Sequence, residues 1–308
     1  MTQHFSPEQL AQQYSPSSCV NDINIYLNEY AEKSNTAKEY AKNKKLVLTN
    51  LRYSTNKDTT LDLYLPETES HKNTKNKRLQ IYIHGGYWQA LSKDDSSFAA
   101  TNFQAHGCYF AALNYSLAPN VTLTDIVEQI RLAIAWLYQH AEQYGYSKDA
   151  IYLSGSSAGA HLAIMMLNTN WCRYINNIST MGSLSLVKGI CAVSGIYDLT
   201  PIAQTYINEP LQLSENEILQ NSPLLLPIEK ESIKKQKPCP IIISYGENET
   251  TEFKRQSQAL KTKLSELNYP IDFKEIADRN HFNVIVDLAD RKSWLFNQVL
   301  KQMELSAQ

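Results

Sequence analysis

The chain has 308 residues, 43% of them hydrophobic, which is enough to bury a large core. Twenty-nine Lys and Arg nearly balance 31 Asp and Glu, so there is no basic excess to draw nucleic acid or an acidic membrane surface. No apolar run reaches the roughly 18 residues of a membrane span, and the start MTQHFSPEQLAQQYS lacks the basic and apolar regions of a secretory signal.

Residues 1–45 are polar with scattered aromatics, and Ile23, Leu27, Tyr30 and Ala31 recur at helical spacing. One or two helices are expected there, packed outside a core. LVLTNLRYS and TTLDLYLP alternate apolar and polar residues as a half-exposed hairpin does. Glu69 to Lys77 reads as a polar surface loop. Buried strands and helices then alternate. LQIYIHGG (from Leu79) and YFAALNYSLAP (from Tyr109) are strands. Thr124 to Gly145 is an amphipathic helix with Thr124 as its N-cap and Gly145 at its C-terminal end. AIYLSG is a strand, AGAHLAIMML a helix and GICAVSG a strand. Residues 198–238 are irregular and contain Pro. PIIISYG is a strand, Glu252 to Leu267 a helix, PIDFKEI the last strand, and Phe282 to Met303 the last helix.

This alternation predicts an α/β class: a mostly parallel central sheet with helices on both faces. With no repeat or composition break, one domain over 1–308 is expected, with 1–45 an N-terminal helical extension and 198–238 a cap-like excursion. Cys19, Cys108, Cys172, Cys191 and Cys239 are scattered without metal spacing. They argue for reduced thiols in the cytoplasm and against a zinc site or a disulfide framework.

Glycine is scarce at 10 residues, about half the usual ~7%. A chain that uses it rarely places it where the backbone demands it. Gly155-Ser156-Ser157-Ala158-Gly159 has the G-x-S-x-G spacing, between an apolar strand and a helix. That context describes a sharp turn that lifts Ser157 above a sheet edge as a nucleophile. Read blandly, it is a serine-rich turn. HGGYW, His84 to Trp88, follows an earlier strand, where two glycines can turn N–H groups into a cavity. In an α/β-hydrolase, Gly85 and Gly86 with Ala158 would line an oxyanion hole.

A serine hydroxyl needs a base to take its proton. His4 and His71 lie in polar segments, and His106 and His140 near helix ends at the surface. His161 points along the helix after Ser157 as a packed residue, and His84 holds the glycine loop. His281, between the last strand and the last helix, stands where the order Ser, acid, His of this fold places the base. The acid that orients it is Glu249, with Glu247 and Asp198 as alternatives.

YAEKS (Tyr30 to Ser34), LDLYLP, IHGGYWQAL, LNYSLAPNVTL, AWLY, SGSSAGAHL, SGIYDLTPI and YGENETTEFKRQS occur in an order that resembles the α/β-hydrolase type of kynurenine formamidase, within the HGG-loop esterases. The resemblance spans nearly the whole chain. It implies Ser157, Glu249 and His281 as nucleophile, acid and base, Glu249 standing where the family usually has aspartate. It implies hydrolysis of N-formyl-L-kynurenine to kynurenine and formate, a step of tryptophan breakdown that requires no metal and no organic cofactor. Tyr87, Trp88 and Tyr197 are then candidate walls for an aromatic substrate, with a place in the core as the equal alternative. The partner is a small aromatic formamide or ester, with no nucleic acid and no membrane, and a homodimer is allowed. Two rival functions share these residues: a broad short-chain carboxylesterase, and a non-catalytic binding protein on the same fold.

Overall fold

In the computed structural model, residues 5–67, 77–176, 186–227 and 238–305 are described; the polar loop expected from Glu69 lies almost wholly outside them. The strands are β1 (Val47–Arg52), β2 (Thr60–Tyr64), β3 (Leu79–Ile83), β4 (Tyr109–Leu113), β5 (Ile151–Ser156), β6 (Val187–Val193), β7 (Ile241–Asn248) and β8 (Ile271–Asn280). They form one sheet in the order β1-β2-β4-β3-β5-β6-β7-β8. β1–β2 and β2–β4 pair antiparallel; the remaining pairs are parallel. Alternate residues of the inner strands feed two cores. Leu79, Ile81 and Ile83 face one, and Tyr82, Phe110 and Cys191 face the other. This is the α/β-hydrolase fold.

The helices are α1 (Pro7–Gln13), α2 (Asn24–Asn43), α3 (Ala100–Ala105), α4 (Leu123–Gln139), α5 (Ala141–Tyr144), α6 (Ala158–Met165), α7 (Asn208–Leu211), α8 (Glu215–Asn221), α9 (Thr251–Glu266) and α10 (Trp294–Gln302). In α2 the stripe turned to the core is Tyr30, Ser34, Ala37 and Ala41, the last three small enough to let the helix lie close. Three expectations need correction. The long helix expected from Thr124 starts after Thr122, whose side chain and that of Asp125 cap each other's backbone N–H reciprocally. It also breaks at His140 into α4 and the single turn α5, which ends at Gly145 with φ 88°. The last helix divides too. A 3₁₀ segment, Ile285–Ala289, precedes α10, because Ser293 Oγ accepts the Phe296 N–H at 3.0 Å and begins a new helix.

No helix among the described residues is long and apolar enough to cross a membrane. His106 and His140, expected at the surface, are half-buried against Phe296 and Trp136.

Candidate active site

Parallel register gathers the site. Ile83 pairs with Gly155, so two residues further on Gly85 lies beside Ser157. A Cβ on Gly85 would stand 3.3 Å from that of Ser157. On the other side, Asn248 pairs with Asn280. The next residue on each strand is Glu249 and His281. Two strand pairs thus deliver four of the predicted residues to one end of the sheet, where ligands of open α/β sheets bind.

Ser157 is the residue between β5 and α6. Its backbone sits at φ 56°, ψ −120°, held by its N–H on the Val193 carbonyl at 2.9 Å. A non-glycine residue there is strained by about 1–3 kcal/mol, which the surrounding structure must offset. The turn is possible because α6 presses against β3. A Cβ on Gly159 would stand 2.0 Å from the Ile83 carbonyl oxygen. Ala158 opens α6, so its N–H has no acceptor within the helix, and the helix end favours negative charge beside Ser157.

Glu249 and His281 are both buried. Glu249 Oε2 lies 2.9 Å from His281 Nδ1. Its Oε1 accepts the Ser194 hydroxyl and the Gly246 N–H, each at 2.6 Å. The acceptor carboxylate fixes the proton on Nδ1, which leaves Nε2 as the imidazole's acceptor. The ring packs edge-on against Phe253 at 4.5 Å. The alternative acids are elsewhere. Glu247 is exposed and accepts the Asp278 N–H, and Asp198 accepts the Thr200 N–H. An imidazole held by a carboxylate, lining one cavity with a serine, can run nucleophilic chemistry.

The glycine loop is held from behind. Tyr115 Oη donates to the His84 carbonyl at 2.9 Å and to that of Gly85 at 3.3 Å. His84 Nδ1 donates to the Gly85 carbonyl at 2.9 Å, and its ring stacks on Tyr115. In trans peptides the following N–H opposes each carbonyl, so the N–H groups of Gly85 and Gly86 point away from Tyr115. Gly86 itself needs φ 93°. Sequence reading missed Tyr115 and Ser194. Tyr115 sits in NYSLAP, whose aromatic was a findable signal; nothing around Ser194 marks it.

Ser157, His281, Gly85, Gly86 and Tyr87 line one cavity of about 310 Å³. Its walls are largely apolar and aromatic, with Ile23, Leu27 and Tyr30 from the N-terminal region, Phe282 after His281, and Tyr206 from the 198–238 excursion. Trp88 and Tyr197 do not line it. Both are fully buried, Trp88 edge-on to His161 and Tyr197 folded over Gly195. Their expected place in the wall is corrected: both rings belong to the buried core on one side of the sheet. Part of the excursion, residues 228–237, lies outside the described residues. Among the described residues no cluster of His, Cys, Asp and Glu could hold a metal.

His84 and His161 are fully buried, and burial pushes each imidazole pKa down to about 4. Their folded pKa lies below the ordinary value near ~6.5, so on acidification the unfolded chain takes up protons first. Stability is therefore expected to fall from about pH 6.5 down to pH 4, by about 1.4 kcal/mol per pH unit for each histidine. Urea unfolding across this range measures it. His161→Gln, able to keep the bond to the Asn221 carbonyl, should flatten the slope; an unchanged slope would rule His161 out as a source.

The BD-FAE family model matches residues 61–264. Kynurenine formamidase of Danio rerio is 35% identical over 305 residues, covering 97% of each chain. That of Salmo salar is 34% identical, covering 98% of this chain and 95% of its own. Among solved structures, a candidate thioesterase from Silicibacter sp. TM1040 superposes with a TM-score of 0.77 at 24% identity, covering 93% of this chain and 97% of its own.

Proposed function

Because this chain belongs to the kynurenine formamidase family, we propose that it hydrolyses the formamide of N-formyl-L-kynurenine to kynurenine and formate. The observation that carries this reading is the identity of 35% over 97% of both chains, in a molecule that brings Ser157, His281 and Glu249 together. Ser157 Oγ attacks the formyl carbon while His281 Nε2 takes its proton. Glu249 holds the Nδ1 proton and stabilises the imidazolium. The N–H groups of Gly85, Gly86 and Ala158 receive the oxyanion. The C–N bond then breaks as His281 returns the proton to the departing arylamine. Water, deprotonated by the same imidazole, attacks the formyl-serine and releases formate. Tyr87 and the other cavity aromatics hold the arylamine. The five cysteines are scattered through the sequence without metal-binding spacing, which suits a reducing compartment, and we extend the proposal to the cytoplasm.

Acyl size tests the reading against a general esterase. A formamidase needs room for one hydrogen beyond the carbonyl carbon. Along a series of phenyl esters, kcat/KM should fall steeply from acetyl to butyryl and hexanoyl, with N-formyl-kynurenine turned over efficiently. An esterase with an apolar acyl pocket would gain up to about 0.8 kcal/mol per buried methylene instead. Rates that climb with chain length, with N-formyl-kynurenine untouched, would replace the formamidase by the esterase.

A further inference from the structure

We propose that Asp95 forms a cation subsite in the cavity and binds the ammonium of the substrate's amino-acid side chain, a proposal that rests on the formamidase reading above. Asp95 closes the 3₁₀ turn Lys93–Asp95 and lines the cavity that holds Ser157 and His281. Its carboxylate is fixed: Oδ2 accepts the Ser92 N–H at 3.1 Å and the Ser92 hydroxyl at 3.0 Å. Among the described residues Oδ1 accepts no hydrogen bond, and Asp95 has no cation partner.

The neighbouring lysines are committed elsewhere. Lys38 Nζ lies 2.7 Å from Asp62 and 2.6 Å from Asp94, and Lys93 Nζ lies 3.1 Å from each of the same two carboxylates. Two lysines thus balance two aspartates, and the charge of Asp95 is left over. No Lys or Arg is among the described residues lining the cavity; its imidazoles are His84, which burial keeps neutral, and His281, whose Nδ1 is held by Glu249. Gln89 is turned to the Ile207 carbonyl. A held, uncompensated carboxylate in a half-buried apolar wall attracts a cation and repels an anion. N-formyl-kynurenine carries, beside its aryl formamide, a side chain with an ammonium.

The test uses two substrate pairs. One is N-formyl-kynurenine and its analogue with methyl in place of ammonium. The other is a pair of aryl acetates whose side chain ends in ammonium or in methyl. The wild-type protein should prefer the ammonium member of each pair by about tenfold in kcat/KM, expressed in KM rather than kcat, as uniform binding requires. Asp95→Asn, which keeps an oxygen for the Ser92 cap, should bring both ratios toward one; Asp95→Ser is the second variant. Wild-type ratios near one, or a preference that survives both variants, overturn the subsite. So does an equal loss on both members of a pair, which would mark a structural role. If neither formamide is cleaved while the acetates are, the formamidase reading fails and the acetate ratio still decides the subsite.

Discussion

Ser157→Ala should fold as the parent does and lose turnover by about 10⁶ in kcat, the scale seen when a triad nucleophile is removed. The substitution keeps Cβ, so the packing around the turn is unchanged, and the Val193 carbonyl still holds the backbone N–H at φ 56°. What is lost is the oxygen that the proposed mechanism uses to attack. Circular dichroism and thermal unfolding would verify the fold, and residual kcat the loss. A serine-directed phosphonate gives an independent reading, because Ser156 also lines the cavity. Peptide mapping should find the adduct on Ser157. An adduct on Ser156, or activity within tenfold of the parent, would move the nucleophile.

Glu249→Gln should cost about 10⁴ in kcat, and the reason lies in how the carboxylate is held. Oε1 takes two donors, Ser194 Oγ and the Gly246 N–H, at 2.6 Å each. The glutamine carbonyl oxygen must occupy that place. Its NH₂ then faces His281 Nδ1, where Oε2 stood at 2.9 Å. A donor against Nδ1 drives the imidazole proton to Nε2, so the nitrogen that should accept the serine proton no longer can. The surface partners of Glu247 and Asp198 predict only small effects for Glu247→Gln and Asp198→Asn. Steady-state rates of the three variants decide. A silent Glu249→Gln beside a crippled Asp198→Asn would shift the acid to the end of β6.

The strand–turn–helix around Ser157 was legible because its signals are local: an apolar strand, glycines where β3 and α6 touch, and a helix start. His281 and Glu249 were legible by position after strands. Chemistry alone did not distinguish Glu249 from Glu247; the pairing of Asn248 with Asn280 does, since it sets which carboxylate faces the imidazole. The aromatics were the weakest reading. Trp88 and Tyr87 are adjacent, yet one ring lies wholly in the core and the other reaches the cavity, and residue identity alone does not reveal which. Ser194, Tyr115 and Asp95 come to the site from separate elements and carry no spacing relative to it. Thr122 was within reach, because Asp125 three residues on completes a capping box.

The cavity mouth joins the two ends of the chain. Gln13 accepts from Thr250 and Thr251, Tyr14 Oη donates to Glu252 at 2.8 Å, and Tyr30 Oη donates to the carbonyl of Phe282. Pro16 and Ser17, next along, form part of the rim. On a ribosome the first segment emerges long before its partners exist: Tyr14 precedes Glu252 by 238 positions, and Tyr30 precedes Phe282 by 252. Closing such long loops is entropically costly and slow. The N-terminal strap therefore stays undocked through most of translation. The cavity is enclosed only when His281 and Phe282 have left the exit tunnel, so a nascent chain stalled before them lacks that part of the wall.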